Sequence, residues 1–383
     1  MLDRMAVGEL ARKHHTQLRG PAGELRFKEC LTRDGFDGPY TILYHLRRPH
    51  THRFADTTHG WPAPVAAADR RLAKRHYKTG DVARQAGPQL DTRTPLLFNA
   101  DLTAGVAFPT EPDPVYVIDG DADQLVYIHR GEGVLRTILG DVTFAQGDYV
   151  FIPRGILHRF LPSGPQHWFW LELDHGLHVP KQWRNEVGQL RMDAPYSHRD
   201  FKRPQWNPPS DEGIRDIVVR RQGHWHGFKM DDSPLDVVGW DGTVYPWAFP
   251  ILAFQPRVSS IHLPPTWHGT FATKGALICS FVPRLLDFAP DSIPCPYPHS
   301  SVNCDEILFY ADGNFTSRRG VGPASISHHP MGVPHGPHPG AYEASIGATR
   351  TDELAVMLDT YLPLQTTAAA LAVEDPGYQD SFI

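Results

Sequence analysis

The chain has 383 residues, of which 41% are hydrophobic and 21% charged, and its formal net charge at pH 7 is −6. These values are typical of a soluble globular protein with a large core. They argue against nucleic acid and against an anionic membrane as partners, because the sequence contains no run of positive charge. No apolar stretch is long enough to form a membrane-spanning helix.

Two features of the chain bear on its compartment. The N-terminal stretch contains Asp3, Arg4 and Glu9 and no apolar run, so we expect no signal peptide. No pair of cysteines has CxxC spacing, which favours reduced thiols and a cytoplasmic location. The four cysteines are Cys30, Cys279, Cys295 and Cys304.

Residues 1–95 are polar, rich in histidine and arginine, and only weakly periodic. They predict an N-terminal segment that wraps the rest of the protein. The whole chain contains 33 glycines and 36 prolines, which favours strands and turns over helices.

Residues 96–175 predict a first β-barrel, because apolar and polar residues alternate between glycine-rich turns. The run from Ile152 to His158 resembles the second motif of the cupin, a small double-stranded β-barrel that often holds a metal. Gln124 stands where the first cupin motif has its glutamate ligand, and of the usual ligands only His158 remains. We therefore expect this barrel to be structural. Residues 176–235 follow as a proline-rich connecting segment with one strand-like run, IRDIVVRRQ.

Residues 236–365 predict a second barrel, which we expect to be the catalytic one. Glu306 precedes Gly313 with the spacing of the first cupin motif, and the run that ends at His335 matches the second motif. In a cupin these motifs lie on separate strands that face one cavity. We therefore expect His299, Glu306 and His335 to meet in space.

The ligand set is itself informative. A complete cupin site has His-x-His before the glutamate, whereas here Ser301 takes the place of the second histidine. Two histidines and one carboxylate form a facial triad that holds Fe(II) and leaves three coordination positions for a substrate and O2. The alternative is that His299 and His335 are turn or core histidines. Three ligand-type residues on two motifs of one fold favour the metal.

The stretch TDELAVMLDTYLPLQ predicts the last strand of the second barrel, and residues 366–383 predict a C-terminal tail with a short helix. The predicted fold class is therefore mostly β. We expect a two-domain cupin, or bicupin, built from double-stranded β-helix barrels.

Several stretches of the chain resemble the homogentisate 1,2-dioxygenase family, in particular its shorter bacterial branch. They include VVGWDGTVYPWAF, IHLPPTWHGTF, ICSFVPR, PYPHSSVNCDEILFY and PASISHHPMGVPHGPHPG. The resemblance covers nearly the whole chain. It implies two cupin barrels, Fe(II) in the C-terminal one, ring cleavage with both atoms of O2, and a homo-oligomer. His299, Glu306 and His335 match the family's iron ligands, and His329 matches a further histidine beside the iron.

Three departures from the family concern the substrate. Asp241 stands where the animal enzymes have a histidine held to be the active-site acid/base, and the shorter branch shares the aspartate. Phe315 stands where the characterised enzymes place a tyrosine near the substrate. The interval from His299 to Glu306 is one residue longer. All three departures leave the iron ligands intact.

Ring cleavage requires a base, because a phenol with a pKa of about 10 is mostly protonated at neutral pH. Asp-Gly is also a hairpin-turn signal, and the two histidines of IHLPPTWHGTF flank a Pro-Pro turn, so turn and loop roles stay open. The catalytic candidates are Asp241, His262, His268 and His329. The candidates for substrate contact are Phe315, His338 and Arg284, of which the last two have surface or structural roles as alternatives.

These observations predict an Fe(II)-dependent, extradiol-type dioxygenase that cleaves homogentisate or a related hydroquinone or phenolic acid. One alternative is a non-redox isomerase or lyase that uses another metal on the same ligands. Another is a dioxygenase that acts on a different phenolic natural-product intermediate. A metal-free structural or binding bicupin is the third, and the triad argues against it.

Overall fold

The computed structural model describes residues 2–56, 60–210, 212–315 and 317–383. Strands dominate this part of the chain, and its α-helices are short: α1 (Gln89–Thr92), α2 (Ala341–Ser345) and α3 (Ala368–Leu371). None of the described helices has the length and apolar character needed to cross a membrane.

The strands follow one another along the whole chain. The first seven are β1 (Met5–Gly8), β2 (Phe27–Thr32), β3 (Tyr40–His45), β4 (Arg53–Ala55), β5 (Arg75–Tyr77), β6 (Arg93–Phe98) and β7 (Leu102–Ala107). The next seven are β8 (Tyr116–Asp119), β9 (Asp123–Arg130), β10 (Gly133–Thr137), β11 (Gly140–Phe144), β12 (Asp148–Ile152), β13 (His158–Pro162) and β14 (His167–Leu173).

The second half continues in the same way. Its strands are β15 (Ile217–Arg221), β16 (His224–Lys229), β17 (Val237–Gly242), β18 (Trp247–Pro250), β19 (Gly269–Ala272), β20 (Ala276–Phe281), β21 (Arg284–Leu285), β22 (Asp305–Asp312), β23 (Ser325–His329), β24 (Arg350–Thr351), β25 (Leu354–Thr360) and β26 (Gln365–Thr366).

The first barrel consists of two seven-stranded sheets. One has the order β11-β10-β13-β8-β15-β16-β4 and the other β18-β12-β9-β14-β7-β6-β26. Their inner faces meet where Phe160 of β13 contacts Trp168 of β14, with ring centroids 4.7 Å apart. Both side chains are fully buried. Burial of rings of this size supplies a large share of the hydrophobic free energy of the barrel.

The second barrel is built on a six-stranded sheet with the order β19-β20-β25-β22-β23-β5. A two-stranded sheet, β21-β24, and a bridge between His299 and His335 complete its wall. Strand β5 comes from the N-terminal segment and pairs with β23. The two barrels therefore share chain, and the structure confirms the predicted mostly β, two-barrel architecture.

Strand β14 lies between the barrels, because its two faces have different neighbours. Trp168 points into the first barrel, whereas Phe169 stacks on Phe309 of β22 with ring centroids 4.8 Å apart. Every residue of β14 is buried. A strand covered on both faces is a continuous apolar run rather than an alternating one, as its sequence HWFWLEL largely is.

A separate four-stranded sheet has the order β1-β17-β3-β2. In it β17 pairs with two strands of the N-terminal segment, and β18 pairs with β12 of the first barrel. Residues 237–250 thus join the N-terminal part of the molecule. The predicted segment limits, 1–95, 96–175, 176–235, 236–365 and 366–383, stay a prediction.

Candidate metal centre

Three side chains converge at one end of the second barrel. Glu306 is the second residue of β22, and His299 and His335 lie in the loops before β22 and after β23. The two loops form a β-bridge. In it the backbone N–H of each histidine donates to the backbone carbonyl of the other at 2.8 Å. One ligand atom from each of the three residues lies within 4.8 Å of the others. The structure thus brings together the three predicted ligands.

Both imidazoles are oriented in the same way. The Nδ1–H of His299 donates to the carbonyl of Tyr297 at 3.2 Å, and that of His335 donates to the carbonyl of Val333 at 3.2 Å. This tautomer follows from the acceptors, since a carbonyl can only accept. It leaves the Nε2 lone pair of each ring free to bind a metal.

The remaining polar atoms fit an ion at this point. His335 Nε2 is buried without a hydrogen-bond partner in the described part of the chain, and it lies 3.8 Å from Glu306 Oε1. A buried nitrogen lone pair without a donor is unfavourable unless a cation takes it. Two imidazole nitrogens and one carboxylate are a donor set that suits Fe(II) and leaves coordination positions open.

His329 forms a hydrogen bond with Glu306 on the side away from the cavity. Its Nδ1–H donates to Glu306 Oε1 at 2.7 Å, and its Nε2 accepts from the hydroxyl of Tyr378 at 3.1 Å. The His329 side chain is fully buried, and burial lowers its pKa to about 3, so the ring is neutral. Tyr378 belongs to the C-terminal tail, which therefore reaches the candidate centre.

Glu306 is ionised in this setting. Burial alone would raise its pKa, but the hydrogen bond from His329 and the positive charge of Arg318 lower it. A charged carboxylate beside two free imidazole nitrogens is ready to bind a divalent cation.

A cavity opens in front of His299 and Glu306. One part of its wall is apolar and aromatic, which suits a planar ring. The rest carries charged and titratable groups. The apolar residues include Phe281, Leu308, Tyr310, Phe315, Ala355 and Met357, and the polar ones include Arg257, His262, His268, Arg284, Asp287, Arg318 and Glu353.

Two of the predicted bases line this cavity. His268 is buried against Phe281 with ring centroids 4.7 Å apart, its Nδ1 has no partner among the described residues, and burial lowers its pKa to about 3. Nδ1 of His262 lies 3.8 Å from Oδ2 of Asp287, and burial lowers the pKa of His262. His329 lies behind Glu306 and is absent from the cavity wall.

Asp241 lies in a different part of the molecule. It belongs to β17 of the four-stranded sheet, where it pairs with Ala6 and Ile42. Its carboxylate contacts Arg4. The structure does not bring Asp241 to the cavity formed by the second barrel.

The predicted substrate contacts are divided as well. Phe315 lines the cavity and packs edge-on against Tyr310, with ring centroids 4.6 Å apart. Arg284 lines it too, but its guanidinium donates to Glu353 at 2.6 Å. His338 lies outside the cavity wall, stacked on Phe382 at 4.0 Å with its Nε2 2.8 Å from the Ser381 hydroxyl.

Sequence reasoning missed two residues near the centre, Arg318 and Tyr378. Arg318 follows Phe315 in a loop, and its Nη2 lies 3.9 Å from Glu306 Oε1. Neither residue belongs to a cupin motif, and neither has a periodic pattern around it. The pair Arg318-Arg319 in a barrel loop was the one available signal.

The first barrel repeats part of this arrangement. The Nδ1–H of His158 donates to the carbonyl of Ile156 at 2.8 Å, as in His335, and its Nε2 is buried without a partner in the described chain. Gln124, at the position of the glutamate ligand, accepts a hydrogen bond at 2.7 Å from the buried guanidinium of Arg93. The same guanidinium lies 3.7 Å from Glu172.

Comparisons with known proteins show which sequences and structures the chain is similar to. The family model described as homogentisate 1,2-dioxygenase N-terminal matches residues 108–251. A relative from Saccharolobus solfataricus, whose name proposes a dioxygenase activity, is 34% identical over 97% of this chain and 96% of its own length. The homogentisate 1,2-dioxygenase of Rhizobium leguminosarum is 24% identical over 89% of this chain and 80% of its own. That of Emericella nidulans is 28% identical over 60% and 53%.

Two solved structures are also similar, but more distantly. A cupin 2 conserved barrel protein from Leptotrichia buccalis has a TM-score of 0.36 and 8% identity, covering 77% of this chain and all of its own. A mutant oxalate decarboxylase from Bacillus subtilis has a TM-score of 0.34 and 10% identity, covering 78% of each chain. No functional conclusion follows from these scores. The sequence relatives confirm the predicted enzyme class, and the chain belongs to the homogentisate 1,2-dioxygenase-like family of dioxygenases.

Proposed function

We propose that the protein is an Fe(II)-dependent, extradiol-type dioxygenase that opens the ring of homogentisate or of a related hydroquinone acid with O2. The observation that carries this proposal is the convergence of His299, Glu306 and His335 within 4.8 Å, beside an aromatic-lined cavity. Three protein ligands leave room for both a chelating substrate and O2.

The residues would divide the work as follows. His299, Glu306 and His335 would hold the iron, which when bound supplies the redox chemistry with O2 that the protein side chains lack. Phe281, Phe315 and other apolar residues would hold the ring and exclude water.

His268 is the residue that the geometry favours as hydrogen-bond acceptor for the substrate's phenol. It lines the cavity, and its Nδ1 has no hydrogen-bond partner among the described residues. Because burial lowers its pKa to about 3, the neutral ring would accept a hydrogen bond from the substrate's phenol at Nδ1 rather than keep its proton. His262, beside Asp287, is the other candidate on the cavity wall.

Oxygen uptake tests the reaction. The protein is reconstituted with Fe(II) without air and then given O2 with homogentisate and a panel of other hydroquinones and phenols. We expect one O2 consumed per ring, with both labelled oxygen atoms in the product. Turnover of a phenolic substrate with Zn²⁺ or Mn²⁺ and without O2 would instead support a non-redox isomerase or lyase. Uptake with another phenol but not with homogentisate would support a different dioxygenase substrate.

The triad is tested by iron content. We expect Glu306→Gln to lose bound iron, whereas Asp312→Asn, an exposed carboxylate on the same strand, keeps it. Equal iron in both variants would remove Glu306 from the site.

We also propose a cytoplasmic homo-oligomer. The four cysteines are free, which supports a reducing compartment. Leu285, Phe288 and Ile261 are exposed apolar side chains near the cavity, and such patches favour association with another chain. Sedimentation of the purified protein tests this part of the proposal, which a monomer at micromolar concentration would contradict.

A further inference from the structure

We infer that Arg318 binds an ionised carboxylate on the substrate, so that this enzyme selects an anionic hydroquinone over a neutral one. This inference rests on the proposed function, and it concerns a residue that no sequence motif identified. Arg318 lines the cavity beside Glu306, where a substrate must lie to reach the candidate centre.

The guanidinium of Arg318 is held in place by uncharged groups. Its Nη1 donates to the carbonyl of Gly336 at 2.6 Å, and its Nε donates to the hydroxyl of Tyr310 at 3.3 Å. The side chain is only 8% exposed. These contacts fix the orientation of the group but leave its positive charge without a counter-charge of its own.

The other arginines of the cavity have acidic partners. Arg284 donates to Glu353 at 2.6 Å, and Arg257 lies 3.2 Å from Asp193. Among the described residues, the carboxylate that forms an ion pair with Arg318 is Glu306, with Nη2 3.9 Å from Oε1. If Glu306 binds the iron, its charge is shared with a divalent cation. Arg318 is then the arginine of this cavity whose positive charge is not neutralised by a carboxylate of its own.

A buried guanidinium without a carboxylate is unfavourable, because the charge has lost its hydration. A carboxylate on the substrate restores the balance and can accept a charge-assisted hydrogen bond from Nη2, which makes no hydrogen bond among the described residues. A neutral ring substituent cannot. Tyr310 and Phe315 pack together beside Arg318 and would hold the ring while its side chain points to the guanidinium.

Binding measurements test this inference without relying on turnover. Titration calorimetry on the Fe(II) protein under anaerobic conditions gives Kd for homogentisate and for its isosteric amide, 2,5-dihydroxyphenylacetamide. We expect the wild-type protein to bind the acid at least about tenfold more tightly than the amide. Equal affinities in the wild-type protein would overturn the inference without any variant.

Variants identify the residue. We expect Arg318→Gln to abolish the preference for the acid while changing the Kd of the amide by less than about threefold, and Arg318→Lys to retain part of it. The matched control is Arg319→Gln, which removes the same charge from the exposed neighbouring residue and should keep the preference. A preference unchanged in Arg318→Gln would mean that another group, such as the metal, binds the carboxylate.

The outcomes separate this inference from the proposed function. Acid-selective binding that depends on Arg318, without O2 uptake, would leave the anion site in place and refute the dioxygenase proposal. O2 uptake by a protein that binds the acid and the amide with equal affinity would support the dioxygenase proposal and refute the anion site at Arg318. Iron content is measured on each variant. If Arg318→Gln loses iron, Arg318→Lys decides: a preference for the acid that is reduced from wild type supports the inference, and one equal to wild type overturns it.

Discussion

At the residue scale, the candidate centre depends on backbone carbonyls that fix the histidine rings. His299 and His335 each donate Nδ1–H to the carbonyl two residues earlier, which presents Nε2 to the same point. His158 in the first barrel does the same. The orientation is therefore a local property of these loops, and it persists where the other ligands of the site are replaced.

Tyr378 gives a prediction for the support of Glu306. Tyr378→Phe removes the donor to His329 Nε2, so His329 is free to adopt the tautomer that cannot donate to Glu306. We expect iron affinity to fall by about tenfold while the fold is kept, because outer contacts of this kind tune metal binding. Competition with a chelator measures the effect, and Tyr361→Phe, an exposed tyrosine after β25, is the control. Unchanged affinity would show that Tyr378 is structural.

The residues of the candidate site were partly predictable. Glu306 and His335 belong to motifs with fixed spacing, and His299 takes one position of the first motif, so their convergence could be inferred from the order of residues alone. Arg318 and Tyr378 reach the site through tertiary packing of a loop and of the tail. Their proximity depends on where other segments end, and no local pattern encodes it.

At the scale of single elements, His45 links strand β3 to its neighbours. Its Nδ1 lies 2.8 Å from Asp236, and its Nε2 lies 3.1 Å from Glu29. Burial alone would lower its pKa, but these hydrogen bonds raise the pKa to about 9. The charged ring therefore stabilises the four-stranded sheet.

The raised pKa predicts a pH-dependent stability. The folded value lies above the ordinary value of 6.5, so the contribution is complete below pH 6.5 and is lost as the pH rises towards 9. We expect His45→Gln to be less stable than wild type by on the order of 2–3 kcal/mol at pH 6, and the gap to close at higher pH. Urea unfolding at both pH values measures it. A gap that stays constant would mean that His45 acts through packing alone.

Truncating Phe309 tests how much the contact between the two barrels contributes to the free energy of unfolding. Phe309 stacks on Phe169 of β14, and both rings are fully buried. We expect Phe309→Ala to cost about 3–5 kcal/mol in the free energy of unfolding, as for other buried aromatic truncations. Phe54→Ala, at a side chain that is largely exposed, should cost far less. Similar losses in denaturant unfolding would contradict the importance of this stack.

Element types were easier to infer than pairings. Alternating residues and glycine turns identify β9 to β13 as strands, since both signals are local. The pairing of β5 with β23, or of β17 with β1 and β3, joins residues far apart in the chain. Which strands pair over such distances depends on which apolar faces the rest of the fold leaves exposed. That information is not contained in any local pattern of the sequence.

At the scale of the whole molecule, the second barrel depends on residues outside its predicted limits. Strand β5 covers the edge of β23, and β14 covers Phe309. We expect a fragment of residues 236–365 to lack a cooperative unfolding transition and to bind less than one iron per chain. In this fragment the edge of β23 would be unpaired and the apolar face around Phe309 would be exposed. Circular dichroism and iron titration test this. A folded, iron-binding fragment would show that the barrel is independent.

Arg93 in the first barrel has a consequence for engineering. Its guanidinium is a tethered cation that contacts Gln124, the counterpart of Glu306. Installing a carboxylate by Gln124→Glu would create an internal ion pair with Arg93, and a dissolved divalent ion would have to displace a competitor that cannot diffuse away. We expect that variant to keep the wild-type number of metal ions per chain by elemental analysis. Building a second candidate metal centre in the first barrel would therefore start with the removal of Arg93.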